Sequence, residues 1–247
     1  MLVKSQVKYI QSLGQKKFRD EEGAFIAEGP KIVKELLTAA NIRPLHIYAL
    51  KEWIGDNRQE LSSLADRLIE VKEPELERLS SLTTPNQVVA VFEKPSFTAP
   101  DMEHTVSLLL DGIQDPGNLG TIIRIADWFG IPQIICSPDS ADVFNSKTVQ
   151  STMGSITRVR VLYMELEDVI RKAAIPVYAA ALEGRSLYKM EKIDRGMILI
   201  GNESKGIRPA LLNMEIQRVT IPRIGQAESL NAAVATGIIV THLVGGA

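Results

Sequence analysis

Cysteine occurs once in the 247 residues, as Cys136, which excludes an intrachain disulfide and fits a reducing compartment. The three histidines, His46, His104 and His242, are far apart and in no metal-ligand spacing, so no metal is expected. Neither sign of charge dominates. With 28 Lys+Arg against 30 Asp+Glu the formal net charge is −2, which argues against a globally basic nucleic-acid binder and leaves room only for local basic patches. A membrane-spanning run is missing too. The longest apolar stretch, residues 232–246, is broken by Thr236, Thr241 and His242 and falls short of the roughly 18 residues a span requires. The N-terminus lacks the apolar core of a signal peptide. Together these absences predict a cytoplasmic protein. No Gly-x-Gly-x-x-Gly follows a strand pattern, no Gly-x-x-x-x-Gly leads into Lys-Ser/Thr, and no Gly-x-Ser-x-Gly elbow occurs. A nicotinamide-type dehydrogenase, a P-loop enzyme and an α/β-hydrolase therefore lose support.

What is present is an alternation of helix and strand patterns. The two prolines of Lys94-Pro95-Ser96-Phe97-Thr98-Ala99-Pro100 mark a linker, giving a first unit at 1–94 and a second at 101–247. In the first, helices are expected at 5–12, 30–40, 61–68 and 74–82, and strands at 45–50 and 88–92. In the second, strands are expected at 106–110, 133–136, 159–162, 177–181, 197–201 and 218–221. Helical patterns at 121–129, 147–153, 166–174, 208–213 and 229–244 lie between them. This alternation predicts an α/β fold with a mostly parallel sheet covered on both faces.

Three of the expected strands end in Gly- and Asn-rich loops. The first loop carries Asp115-Pro116-Gly117-Asn118. The helix after it puts Ile122, Ile125, Ala126 and Phe129 on one face and Arg124 on the other. The second is Gly201-Asn202-Glu203-Ser204-Lys205-Gly206, where Glu203 either caps the next helix or serves a ligand. The third runs from Ile221 to Ser229, a good N-cap residue, with Asn231 inside the first turn of an apolar helix. Loops at strand ends can turn backbone groups toward one ligand. Two basic stretches free of acidic residues, one with Lys4, Lys8, Lys16, Lys17 and Arg19 and one with Lys147, Arg158 and Arg160, are candidate phosphate-binding surfaces.

In order and spacing, the three motifs resemble the SpoU (TrmH) family of RNA ribose 2′-O-methyltransferases of the SPOUT superfamily, over roughly residues 105–244. The stretch 16–37, with Phe25-Ile26-Ala27-Glu28-Gly29, is similar to the start of an N-terminal RNA substrate-binding domain like ribosomal protein L30e. The resemblance implies a SPOUT methyltransferase domain with a C-terminal trefoil knot, S-adenosylmethionine as methyl donor, a homodimer, and RNA as substrate, ribosomal before transfer RNA. It implies catalytic roles for Asn118, Arg124, Glu203, Ser229 and Asn231. It implies cofactor contacts at Ala181, Leu182, Gly201, Ile221 and Leu230. One departure is Gln150, where many members carry arginine; Lys147 or Arg158 could supply that phosphate contact. The rival reading is a non-catalytic RNA-binding protein that keeps the fold.

Overall fold

The structure, a computed structural model, describes residues 2–97 and 99–245; Thr98, within the expected linker, and Gly246, at the end of the apolar run, lie outside them. The elements in chain order begin α1 (Lys4–Ser12), α2 (Lys16–Glu22), β1 (Ala24–Glu28), α3 (Pro30–Thr38), β2 (Pro44–Ala49), α4 (Lys51–Asp56), α5 (Arg58–Leu61), β3 (Leu68–Glu70), α6 (Glu73–Leu79) and β4 (Val88–Glu93). They continue with β5 (Val106–Asp111), α7 (Pro116–Trp128), β6 (Gln133–Cys136), α8 (Ser146–Thr152), β7 (Arg160–Tyr163), α9 (Leu166–Lys172), β8 (Val177–Ser186), β9 (Gly196–Gly201), α10 (Pro209–Leu212), β10 (Gln217–Thr220) and α11 (Ala232–Leu243). The chain divides into two compact units. One is Met1–Ser96 with Phe144–Thr157; the other is Phe97–Val143 with Arg158–Ala247. A single cut at the linker therefore does not separate them, because α8 belongs with the first unit.

The first unit holds a four-stranded sheet in the order β1-β4-β2-β3, antiparallel except for the β2–β3 pair. Pro30 starts α3 at a position where its missing N–H costs nothing, and Ile32, Val33 and Leu36 form the buried face. All five residues of β1 are buried, so the strand shows no alternation that would mark it in the sequence. The helix expected at 61–68 does not form. Only Arg58–Leu61 is helical, and three-residue turns carry the chain on from there (Leu64 N–H to Leu61 O, Arg67 N–H to Leu64 O). Ser62 and Ser63 favour such turns over a helix interior, and Leu68 then opens β3 beside β2.

The second unit is built on a six-stranded sheet in the order β10-β8-β9-β5-β6-β7, with every pair parallel. Its central strands read as nearly continuous apolar runs, broken in β5 by the buried Ser107, because both faces are covered. On one face Leu109, Ala179 and Leu199 pack with Leu166, Val169 and Ile170 of α9 and with Ile207 and Leu211. On the other, α7 and α11 pack against each other. All strands run the same way, so every strand's C-terminal end lies on one edge. From β5 the chain leaves toward β6, whereas from β9 it leaves toward β10 on the opposite side. The connections diverge at the β9–β5 pair, and such a divergence opens a crevice for a ligand.

Candidate active site at the C-terminal edge of the parallel sheet

The divergence point is where the three loops meet. Asp111 lies opposite Gly201 in the β5–β9 ladder, so the first and second loops leave the sheet side by side. Helix α7 starts earlier than periodicity predicts. Asp115 is its N-cap, accepting the Asn118 N–H at 2.8 Å, and Pro116 fills the first helical position. Asn118 thus sits in the first turn. Its Nδ2 donates to Glu203 Oε1 of the second loop at 2.6 Å. Its Oδ1 accepts from Asn231 Nδ2 of the third at 2.9 Å.

Asn231, not Ser229, caps α11. Asn231 Oδ1 accepts the N–H groups of Ala233 and Val234 at 3.0 and 3.3 Å, so the helix begins at Ala232. Ser229 is exposed and makes no hydrogen bond among the described residues. The cap also orients the rest of the chain of bonds. With Asn231 Oδ1 turned to the helix, its amide nitrogen must face Asn118 Oδ1. Asn118 Nδ2 is then left for the carboxylate, and both amide orientations follow from the network. The result is a relay of three polar side chains, one from each motif, with Asn118 bonded to the other two. Glu203 does not cap a helix. Its Oε2 has no hydrogen-bond partner among the described residues.

Beneath the relay, the second loop is fastened to the first. Asn202 Nδ2 donates to Gly112 O at 2.7 Å, and Asn202 Oδ1 accepts from the N–H groups of Ser204 and Lys205, both at 3.0 Å. Asp111, buried at the end of β5, accepts from the Arg208 backbone N–H at 2.7 Å and from Arg208 Nε at 2.6 Å. Sequence reading singled out neither Asn202 nor the Asp111–Arg208 pair. Their partners lie about ninety residues away, and no local pattern reports them.

Gly201 is glycine for a reason internal to the loop. A Cβ there would meet the Gly206 carbonyl carbon and the Ile207 nitrogen at 2.4 Å each, so its own loop crosses its bare Cα. Ala181 is half-buried on β8, and Leu182 next to it is 76% exposed. Ile221 is half-buried, and Leu230 and Ile224 are exposed. Among the described residues, Pro222–Leu230 makes no backbone–backbone hydrogen bond. Ala227 O accepts from Arg223 Nη1 at 3.2 Å. Peptide groups without backbone partners, beside uncovered apolar side chains, suit a ligand with a hydrogen-bonding edge and apolar faces, which describes an adenosine group.

Arg124 is not brought to the relay of its own chain. It lies six residues beyond Asn118 on α7, about 9 Å further along the axis, and is exposed with no bonded partner among the described residues. The basic candidates also divide. Lys4 and Lys8 are exposed on α1, and Lys147 is exposed on α8. Lys16 pairs with Asp20 at 2.6 Å and Lys17 with Glu21 at 3.8 Å, so the acids just past the basic run offset part of it. Bonds from Lys16 and Lys94 hold the Asp20 carboxyl below its ordinary range. Arg19 is no surface cation: it is 3% exposed and its Nη1 donates to the carbonyls of Leu13 and Gly14, both at 2.9 Å. Arg158 forms an ion pair with Asp127 at 2.9 Å. Among the described residues no group of three metal-ligating side chains occurs, and no helix is long and apolar enough to cross a membrane.

A parallel α/β sheet with three loops joined at its divergence point defines a domain that binds a small organic ligand at its C-terminal edge. Residues 105–241 match the SpoU rRNA Methylase family, and residues 4–90 match the MRM3-like substrate binding domain. The chain belongs to the SpoU rRNA methylase family. It is 32% identical over 247 residues to the 23S rRNA (guanosine(2553)-2′-O)-methyltransferase RlmP of Bacillus subtilis, covering 97% of this chain and 96% of that one. A TrmH-family protein from Porphyromonas gingivalis shares the fold with a TM-score of 0.85 at 36% identity, covering 98% of both chains. An AdoMet-bound rRNA methyltransferase from Sinorhizobium meliloti does so with a TM-score of 0.84 at 32% identity, covering 98% of this chain and 95% of that one.

Proposed function

We propose that this protein transfers the methyl group of S-adenosylmethionine to a ribose 2′-hydroxyl of ribosomal RNA. The observation that carries the reading is the Asn231–Asn118–Glu203 relay, which joins the three family motifs at one point. S-adenosylmethionine supplies an electrophilic methyl group on a positively charged sulfur. Backbone groups at Gly201, Ile221 and Leu230 would hold it, with Ala181 and Leu182 against the adenine. Covering Leu182, Ile224 and Leu230 would also remove exposed apolar surface from water.

The relay gives the attacking hydroxyl a fixed place. Asn118 and Asn231 have their amides committed, so neither rotates freely, and Glu203 Oε2 remains as an acceptor toward the ribose hydroxyl. Positioning of this kind contributes a large part of a transfer rate. Ser229, free of the helix cap, can meet substrate. Arg124 keeps its charge at all working pH and stabilises the developing alkoxide or a target phosphate. Its distance from the relay of its own chain favours a site completed by a second copy. A homodimer is supported by the exposed Trp128, Tyr188 and Val234 and by an apolar cleft of about 760 Å³ lined by Tyr188, Met190, Val234 and Ile238. The first unit, read as an L30e-like domain, selects the RNA with Lys4, Lys8 and Lys147, and the segment after β10 forms the trefoil knot. A cytoplasmic location is part of the same reading.

Mapping 2′-O-methyl groups in total RNA with and without the protein tests the reading. One ribosomal site should disappear in the deletion. If no site changes, and the purified protein binds rRNA without methylating it, the non-catalytic alternative replaces this one.

A further inference from the structure

We propose that Asn202 is a positioning residue for the transfer reaction, acting through Glu203 on Asn118; the proposal deepens the methyltransferase reading and rests on it. Every hydrogen-bonding group of Asn202 is engaged. Its backbone N–H and C=O form a two-bond bridge with Gly206, at 3.1 and 2.9 Å, which closes the second loop on itself. Its Oδ1 gathers the N–H groups of Ser204 and Lys205, which sets the curvature of that loop. Its Nδ2 crosses to Gly112 O, at the base of the first loop.

Gly112 is itself fixed. Its φ is +67°, a left-handed conformation natural to glycine, and its N–H donates to Ser137 Oγ at 2.8 Å. Asn202 therefore ties a flexible-looking loop to a rigid point. Glu203 is the next residue in the chain, and its carboxylate meets Asn118 at 2.6 Å. With the Gly112 bond cut, the second loop keeps its turn and its Asp111–Arg208 tie, but it loses the anchor beside Glu203. The carboxylate then loses the fixed distance that aligns the relay.

Asn202→Ser is the informative variant. Serine can keep the acceptor for the turn but does not reach Gly112 O. In the full chain, two readouts separate positioning from general damage. The first is the Asn118 side-chain amide signal in a ¹⁵N–¹H spectrum. It should move, and its protons should exchange about tenfold faster or more, because a charge-assisted bond has loosened. The second is single-turnover methyl transfer to a pool of unmodified ribosomal RNA transcripts. It should fall about tenfold or more at saturating RNA and S-adenosylmethionine, with both dissociation constants changed less than about twofold. Asn202→Asp keeps the oxygen that accepts from Ser204 and Lys205 and loses the donor to Gly112 O, so its rate relative to wild type should recover as pH falls and its carboxyl regains a proton. An unchanged Asn118 signal in a folded Asn202→Ser protein overturns the proposal, as does a transfer rate within twofold of wild type. If the Asn118 signal moves but the wild-type protein methylates no ribosomal RNA, the positioning survives and the methyltransferase reading fails.

Discussion

Replacing Gly201 by alanine adds one methyl group, and the structure says where it must go. The new Cβ would lie 2.4 Å from the Gly206 carbonyl carbon, 2.4 Å from the Ile207 nitrogen and 2.7 Å from the Gly206 oxygen. Ordinary contact needs about 3.4 Å or more, so the backbone on the far side of the loop must retreat by about 1 Å; no side chain can rotate away instead. Overpacking of this kind costs about 1–3 kcal/mol. The retreat also pulls Gly206 from Asn202 and breaks the two bridge bonds, each worth about 1 kcal/mol net. The expected loss is about 3–5 kcal/mol from the second unit, read as a shift of the urea midpoint with the slope unchanged. The relay is displaced with the loop, and a misplacement of about 1 Å costs roughly a hundredfold in rate. Methyl transfer should therefore fall by about that factor, and calorimetry should show weakened binding of S-adenosylmethionine. Valine should do worse on every count. A folded Gly201→Ala protein with the wild-type midpoint and turnover would show that the crossing of Gly206 over Gly201 does not constrain the site.

Asn231→Ala should destabilise α11 by about 0.5–2 kcal/mol through the lost cap, whereas Asn231→Asp should keep that stability yet slow methyl transfer, since it has no amide donor for Asn118; thermal melts and a transfer assay on the pair check this. Arg124→Ala should keep its melting temperature and cofactor affinity while turnover at saturating RNA drops by about a hundredfold, and Arg124→Lys should rescue poorly because it lacks the planar fork; turnover within a few-fold of wild type would remove Arg124 from the chemistry. Lys4→Glu with Lys8→Glu should weaken rRNA binding and flatten its dependence on salt, since fewer counterions are released; an unchanged slope in filter binding would move the RNA surface elsewhere. Burial pushes the Cys136 thiol well above its usual range, so at pH 8 it should resist an aromatic disulfide reagent in the native protein and react in urea; rapid native labelling would contradict that burial.

The parallel strands were legible because burial on both faces leaves continuous apolar runs, and the strand expected at 133–136 is found at Gln133–Cys136. The same flat pattern hid β1, which is too short and too evenly buried to declare itself. Helix starts were misjudged where a residue could serve two purposes. Asp115-Pro116, placed in the loop before a helix expected at 121, is in fact a cap with its first helical residue. Ser229 is a good cap by type, but Asn231 takes the role. The three motif loops could be picked out one by one, but not the contacts among them. Asn118 meets residues 85 and 113 positions away, and only the sheet order brings them together. Arg19 was misread for the opposite reason. Its partners at Leu13 and Gly14 are local, yet composition counts a buried arginine the same as an exposed one.

The first unit is assembled from two stretches of chain, with residues 97–143 between them. Its core strand β1 presents Phe25, whose ring lies 4.9 Å from that of Phe144, and α8 packs on the same strand. During synthesis the first ten elements emerge well before that covering exists. At roughly 5–20 residues per second the ribosome needs several seconds to advance from Ser96 to Thr157. Through that interval Phe25 has no Phe144 to cover it, and part of β1 stays open to solvent. The amino-terminal unit, although made first, is thus finished only after β5, α7 and β6 of the other unit have been made, which makes that pause its most vulnerable moment for proteolysis or mispairing.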